Sequence, residues 1–165
     1  LANAELGGAA PWSWILAAQA GGMLVGGLLA MRWRPPRPIL AAVVATAISI
    51  PLPFLSLGLG APLIVSIATM GAAGVAFGIF GVLWATIMQL RVAPEALSRV
   101  SSYDALGSLL FQPVGLLLGG PAAVVLGPRT AMFVCGVALA VVCLAPLVSS
   151  DVRSVGWHRE VLAAA

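Results

Sequence analysis

Thirteen charged side chains divide the chain into long stretches that carry no charge at all. The charges stand at positions 5, 32, 34, 37, 91, 95, 99, 104, 129, 151, 153, 159 and 160, which leaves charge-free runs at 6–31, 38–90, 105–128 and 130–150. Those runs are 26, 53, 24 and 21 residues long. A bilayer core of about 30 Å is crossed by about 20 helical residues at about 1.5 Å rise per residue. Three runs therefore hold one crossing each, and the 53-residue run holds two. The expected fold class is an all-α membrane protein with five transmembrane helices. A soluble domain is excluded: a soluble chain is about one quarter charged, and here 8% of residues are charged and 61% are hydrophobic.

Turn and proline signals place the crossings at about 12–31, 38–57, 62–90, 104–126 and 130–149, giving a membrane bundle over 1–150 and a polar tail over 151–165. Pro51 and Pro53 each remove a backbone donor and predict a bend or local unwinding in the far half of the second helix. Pro113 predicts an interruption of the fourth. Ser101 and Asp104 have the S-x-x-D spacing of a capping arrangement, which starts the fourth helix at Asp104; a start at Pro94 is the alternative.

With the first helix starting outside, Arg32, Arg34, Arg37, Arg91, Arg99, Arg153 and Arg159 all fall inside and only Arg129 falls outside. Positive residues favour the cytoplasmic side, so the expectation is a multi-pass protein of the cell membrane with a cytoplasmic C-terminal tail. The net charge of +3 is spread over several loops, and no aromatic residues interleave with the arginines on a polar face, so the expected partner is the lipid bilayer and not a nucleic acid. Cys135 and Cys143 are eight residues apart in one helix, about 12 Å along its axis, too far for a disulfide between them. The chain opens with Leu1 and has no basic stretch before its first apolar run. No signal peptide is visible, and an odd helix count with no start residue is the expectation for a fragment of something longer.

Glycine separates the five helices. The first, third and fourth carry four each, the second none and the fifth only Gly136. Small residues let helix backbones approach closely in a membrane, so the first, third and fourth are expected to pack or line a cavity, and the second and fifth to face lipid. At about 100° per residue, Gln19, Gly22 and Gly26 share a face, as do Gly74, Gly78 and Gln89, and likewise Asp104, Ser108, Gln112, Gly115 and Gly119. Two readings compete for these stripes. In one they only pack helices, with Gly22, Gly26, Gly74, Gly78, Gly115 and Gly119 at the contacts. In the other, Gln19, Gln89, Ser108 and Gln112, with Trp84 as a stacking surface, line a path for a solute.

Asp104 is the acid nearest a membrane span. It is a candidate for ion coupling, set against the plainer role of a helix-terminal acid or a partner for Arg99. No enzyme is expected: the single His158 lies in the tail, and neither a nucleophile elbow, a phosphate loop nor a metal-ligand cluster is present in the sequence. No metal or cofactor is expected either.

The connector Arg91-Val92-Ala93-Pro94-Glu95-Ala96-Leu97-Ser98-Arg99-Val100-Ser101-Ser102, followed by Gln112-Pro113-Val114-Gly115 and Gly119-Gly120-Pro121, resembles the major facilitator superfamily. It is similar to the stretch from the end of helix ten through helix eleven in the drug-exporter branch, which includes macrolide and siderophore exporters. Gly27-Leu28-Leu29-Ala30-Met31-Arg32-Trp33-Arg34 resembles a degenerate copy of that family's cytoplasmic G-x-x-x-D-R-x-G-R-R loop, with Met31 in place of the aspartate.

The resemblance implies that the five spans are helices eight to twelve of a twelve-helix permease, a partial C-terminal bundle whose partner is the N-terminal half of the same transporter. It places helices eight, ten and eleven around the central cavity. The implied function is secondary active transport, namely ion-gradient-driven efflux of hydrophobic or amphipathic small molecules by alternating access. Arg32, Arg34, Arg37, Arg91 and Arg99 then set topology and the cytoplasmic gate. An importer of the same superfamily, or a non-transporting scaffold or assembly subunit, are the alternatives. For the topology, a phosphatase reporter that works only outside the cytoplasm should be active when fused after Gly60 or Gly127 and silent after Ala93; activity after Ala93 reverses the assigned orientation.

Overall fold

The computed structural model describes residues 9–33 and 35–149, and for Phe111 and Gln112 the backbone alone. Arg34 and the tail over 151–165 lie outside the described residues. Six α-helices follow in order: α1 (Ala9–Arg32), α2 (Pro38–Ser49), α3 (Pro51–Gly58), α4 (Leu63–Arg91), α5 (Pro94–Leu126) and α6 (Pro128–Leu144), the last continued by a 3-10 turn over Ala145–Val148. Together α2 and α3 form one crossing, Pro38–Gly58, and α6 with its 3-10 turn forms another, Pro128–Val148. Five stretches are thus long and apolar enough to cross a membrane, and no strand occurs among the described residues. The fold is an all-α membrane-type fold.

Proline opens four of these helices. Pro38, Pro51, Pro94 and Pro128 sit in the first turns of α2, α3, α5 and α6, where the fixed φ suits a helix and the missing N–H has no partner to lose. The break expected from Pro51 and Pro53 falls at Ile50, whose backbone stays helical at φ −67° and ψ −41°. The ladder of hydrogen bonds is therefore interrupted while the chain direction is kept. Just before it, the Thr46 hydroxyl donates to the carbonyls of Ala42 and Val43, each at 3.0 Å.

Two expectations about the fourth crossing are corrected. It begins at Pro94, behind the N-cap residue Ala93, and Ser101 and Asp104 lie inside it. Proline at the first position starts the helix, no breaker follows before Asp104, and the serine-rich stretch folds in: the Ser102 hydroxyl donates to the Ser98 carbonyl at 2.8 Å. Nor does Pro113 interrupt it, since α5 runs on through both Pro113 and Pro121. Each proline removes one backbone donor, and the ladder on either side holds the helix together.

The tightest contact joins α1 to α4. A Cβ at Gly22 would overlap the Gly71 carbonyl oxygen, and one at Gly26 the Val75 carbonyl oxygen. On α4, a Cβ at Gly74 would meet the Gln19 carbonyl oxygen and one at Gly78 that of Met23. Each helix thus brings a G-x-x-x-G pair against the other's backbone, the arrangement that lets membrane helices approach most closely. Numbers rise together along the contact, from Ala18 against Gly71 to Gly27 against Val82, so the two helices run parallel. By contrast α3 and α6 run antiparallel, with Gly58 against Phe133 and Gly136 against Leu55. Ala30, Ala42, Ile79 and Leu83 form a buried cluster where α1, α2 and α4 meet. The Ser56 and Thr69 hydroxyls, 3.2 Å apart, link α3 to α4.

The expected division of helices by glycine content does not hold within this chain. The second crossing, without glycine in its expected span, is well embedded, with Thr46, Pro51, Pro53, Ser56 and Leu57 buried. The fifth packs on it through Ala131 and Gly136. The fourth has no buried residue among those described, and Gly107, Gly115, Gly119 and Gly120 have nothing within 4 Å of a Cβ position. Glycine permits a close approach, and only a second backbone at that position completes one; alanine and proline supply the flat surface of the second crossing instead. Gly115 and Gly119 therefore make no helix contact in this chain.

Gly26→Val should weaken resistance to denaturant by at least about 2 kcal/mol, because the neighbouring backbone must move away. Gly81→Ala, on the same helix pair but with nothing within 4 Å, should stay within about 0.5 kcal/mol of the parent. Equal losses in the two variants would show that the α1–α4 seam is not the tight contact.

Candidate functional site

Two places gather the polar and aromatic side chains singled out from the sequence. The first is a half-open cavity of about 440 Å³ lined by four helices. Trp12 and Gln19 reach it from α1, Pro53, Phe54 and Leu57 from α3, Met70, Ala73 and Phe77 from α4, and Met132 and Leu139 from α6, with Ile50 at the break in the second crossing. Its size falls within the range of small-molecule pockets, about 300–1,000 Å³. Gln19 is its one amide side chain in an otherwise apolar wall of aromatic and methionine residues. Such a wall adapts to varied apolar shapes, because methionine is flexible and polarizable.

Packing explains why Gln19 stands there. Its backbone carbonyl is pressed against Gly74, which fixes this face of α1 on α4, and Gln19 lines the cavity beside that seam. Trp12 lies seven residues earlier on the same face of α1, since seven residues turn about 700°. Ile50, at the break between α2 and α3, lines the wall beside Pro53 and Phe54.

The second place lies further along α4. The Trp84 indole Nε1–H donates to Asp104 Oδ2 at 3.2 Å, tying α4 to α5 at one of their few contacts. Phe80 stacks on Trp84 with ring centroids 5.9 Å apart and planes 9° from parallel, an offset stack. Asp104 is exposed and has one carboxylate oxygen held by a neutral donor. The indole meets the carboxylate through its N–H edge, while its ring stacks on Phe80. Trp84, 36% exposed, lies seven residues beyond Phe77 on the same side of α4, about 10 Å along the axis.

Of the residues assigned to a solute path, the structure brings Trp84 to Asp104 and places Gln19 in the separate cavity. Gln89 and Ser108 are exposed and join neither, the Ser108 hydroxyl donating back to the Asp104 carbonyl at 3.1 Å. The side chain of Gln112 lies outside the described residues. Arg32, Arg37, Arg91 and Arg99 are exposed at the end of the bundle shared by the α1–α2 and α4–α5 connections. Phe54, Met70, Phe77 and Met132 were not anticipated. The seven-residue spacings of Trp12 with Gln19 and of Phe77 with Trp84 carried a signal for two of the walls; nothing local marks Met132 or Phe54, which arrive through the pairing of α3 with α6.

Comparison with protein-family profiles, with curated proteins and with solved structures found no match. For the α4–α5 tie, a double-mutant cycle of Trp84→Phe and Asp104→Ala in unfolding should return a coupling of about 0.5–1.5 kcal/mol. A coupling indistinguishable from zero means that the indole and carboxylate do not interact.

Proposed function

We propose that the chain is part of a secondary active transporter of the major facilitator type, moving hydrophobic or amphipathic small molecules outwards at the expense of an ion gradient. The observation that carries this reading is the apolar cavity between helices long enough to cross a membrane, with Gln19 in its wall. A solute with a large apolar body and one hydrogen-bonding group fits such a wall: the body leaves water or lipid for methionine and aromatic contacts, and the amide fixes its orientation. Asp104 is the group for ion coupling, as the acid nearest a membrane-spanning stretch, tied to α4 through the Trp84 indole. Alternating access then rocks this bundle against an N-terminal half, which meets the long exposed face of α5 with Ser108, Gly115 and Gly119. The break at Ile50 lets α3 and α6 shift while α1 and α4 stay locked.

One observation favours a second reading. On α1 and α4 the glycines Gly22, Gly26, Gly74 and Gly78 are consumed by packing, as a membrane scaffold requires. Transport assays separate the two readings. In the intact protein, Gln19→Leu should slow efflux of an amphipathic dye at least about ten-fold, the cost of about 1.4 kcal/mol from a lost buried hydrogen bond. Protein levels should be unchanged, and Leu117→Ala on the exposed face of α5 should transport normally. Wild-type efflux in Gln19→Leu, Gln89→Leu and Gln112→Leu alike would sink the transport reading in favour of the scaffold, and dye accumulation in place of loss would reverse its direction.

A further inference from the structure

A groove of about 560 Å³ runs along the outside of α2, apart from the cavity and from Asp104. Trp33, Pro35, Pro36 and Arg37 form its mouth, and Leu40, Ala41, Val44 and Ala45 line its length. Arg37 and the α2 residues fall on one side of the helix at about 100° per residue and extend about 12 Å along the axis from 37 to 45. One end of the groove is therefore cationic and interfacial, and the rest is apolar and runs into the membrane-spanning segment. Pro35 and Pro38 are buried and stiffen the hairpin on both sides of Arg37, which is exposed and lines the same groove as Trp33, itself 47% exposed.

Charge narrows what can occupy this groove. No acid lines it, and Arg32, Arg91 and Arg99 stand at the same end of the bundle, with Glu95 and Asp104 the described acids on that side. A shallow apolar groove with Arg37 as the cation among its described lining residues matches a molecule with an anionic head and a hydrocarbon tail. Tryptophan and arginine at headgroup level are suited to hold such a head.

We infer that the α2 groove is a binding site for an anionic glycerophospholipid, its phosphate paired with Arg37 beside Trp33 and one acyl chain lying over Leu40, Ala41, Val44 and Ala45. The site needs only that the chain is in a membrane and stands whether or not the chain transports anything.

Trp33 reports its own occupancy. The full-length protein is placed in phosphatidylcholine vesicles containing either brominated phosphatidylglycerol or brominated phosphatidylcholine at equal fraction, and the Trp33 share of quenching is taken as the difference between wild type and Trp33→Phe. The glycerol lipid should be enriched about five-fold over the choline lipid at Trp33, the factor for one arginine near a headgroup. Arg37→Gln should bring that ratio to about one, and Arg37→Lys should keep most of it. Arg99→Gln, at the same end but outside the groove, should leave it intact. Equal quenching by both lipids in wild type overturns the proposal, as does an equal loss in Arg99→Gln and Arg37→Gln, which marks diffuse attraction. Absence of quenching by either lipid overturns it too, since a protein segment then covers the groove. The comparison of wild type with Trp33→Phe decides even where an arginine variant fails to fold.

Discussion

Backbone-to-backbone contact between α1 and α4 is the interaction on which the arrangement rests. In a membrane there is no hydrophobic gain when one apolar helix meets another, so stability comes from many short van der Waals contacts and from the fit of the two surfaces. Glycines at 22, 26, 74 and 78 bring four carbonyl groups against the opposite helix. Once these two are locked, α2 and α3 fill the angle beside them, α6 lies on α3, and the cavity is what remains between the four. Gln19 is held in the cavity wall by the same contact that fixes the seam.

Much of the architecture could be read from residue order because it follows from solvent. Charge-free runs of sufficient length specify crossings, and their number follows from bilayer thickness. Pro51 and Pro53 were legible as a break because a missing donor has a local effect. The start of α5 was harder: Ser101 with Asp104 and Pro94 offered two local beginnings, and both obey capping rules. The continued helix won, since every residue from Glu95 to Tyr103 can extend it. Pairing was not legible. Glycine content marks which helices are able to come close, and whether Gly115 or Gly74 finds a partner is decided by the positions of all the others.

The candidate site divides along the same line. Gln19, Trp84 and Asp104 stand out by type in apolar surroundings, and two of the three turn out to be hydrogen-bonded to each other across twenty positions of sequence. The walls that give Gln19 its setting are ordinary apolar residues. Phe54, Met70 and Met132 gain significance only when α3, α4 and α6 converge, and no spacing within one helix encodes that convergence. Groups of rare type can be found by reading along the chain; a cavity is a property of the space between chains of common type.

The parallel course of α1 and α4 has a consequence for how the molecule is made. Two parallel crossings cannot be neighbours in sequence, since the chain must return between them. The first helix therefore enters the bilayer and waits through the synthesis of the whole second crossing and the turn at Gly60 before its counterpart exists. During that interval the faces of Gly22 and Gly26 are covered by lipid tails, which have to be expelled when α4 arrives. Assembly of this pair is thus gated by the third crossing, because α1 cannot take its place until α4 has been made.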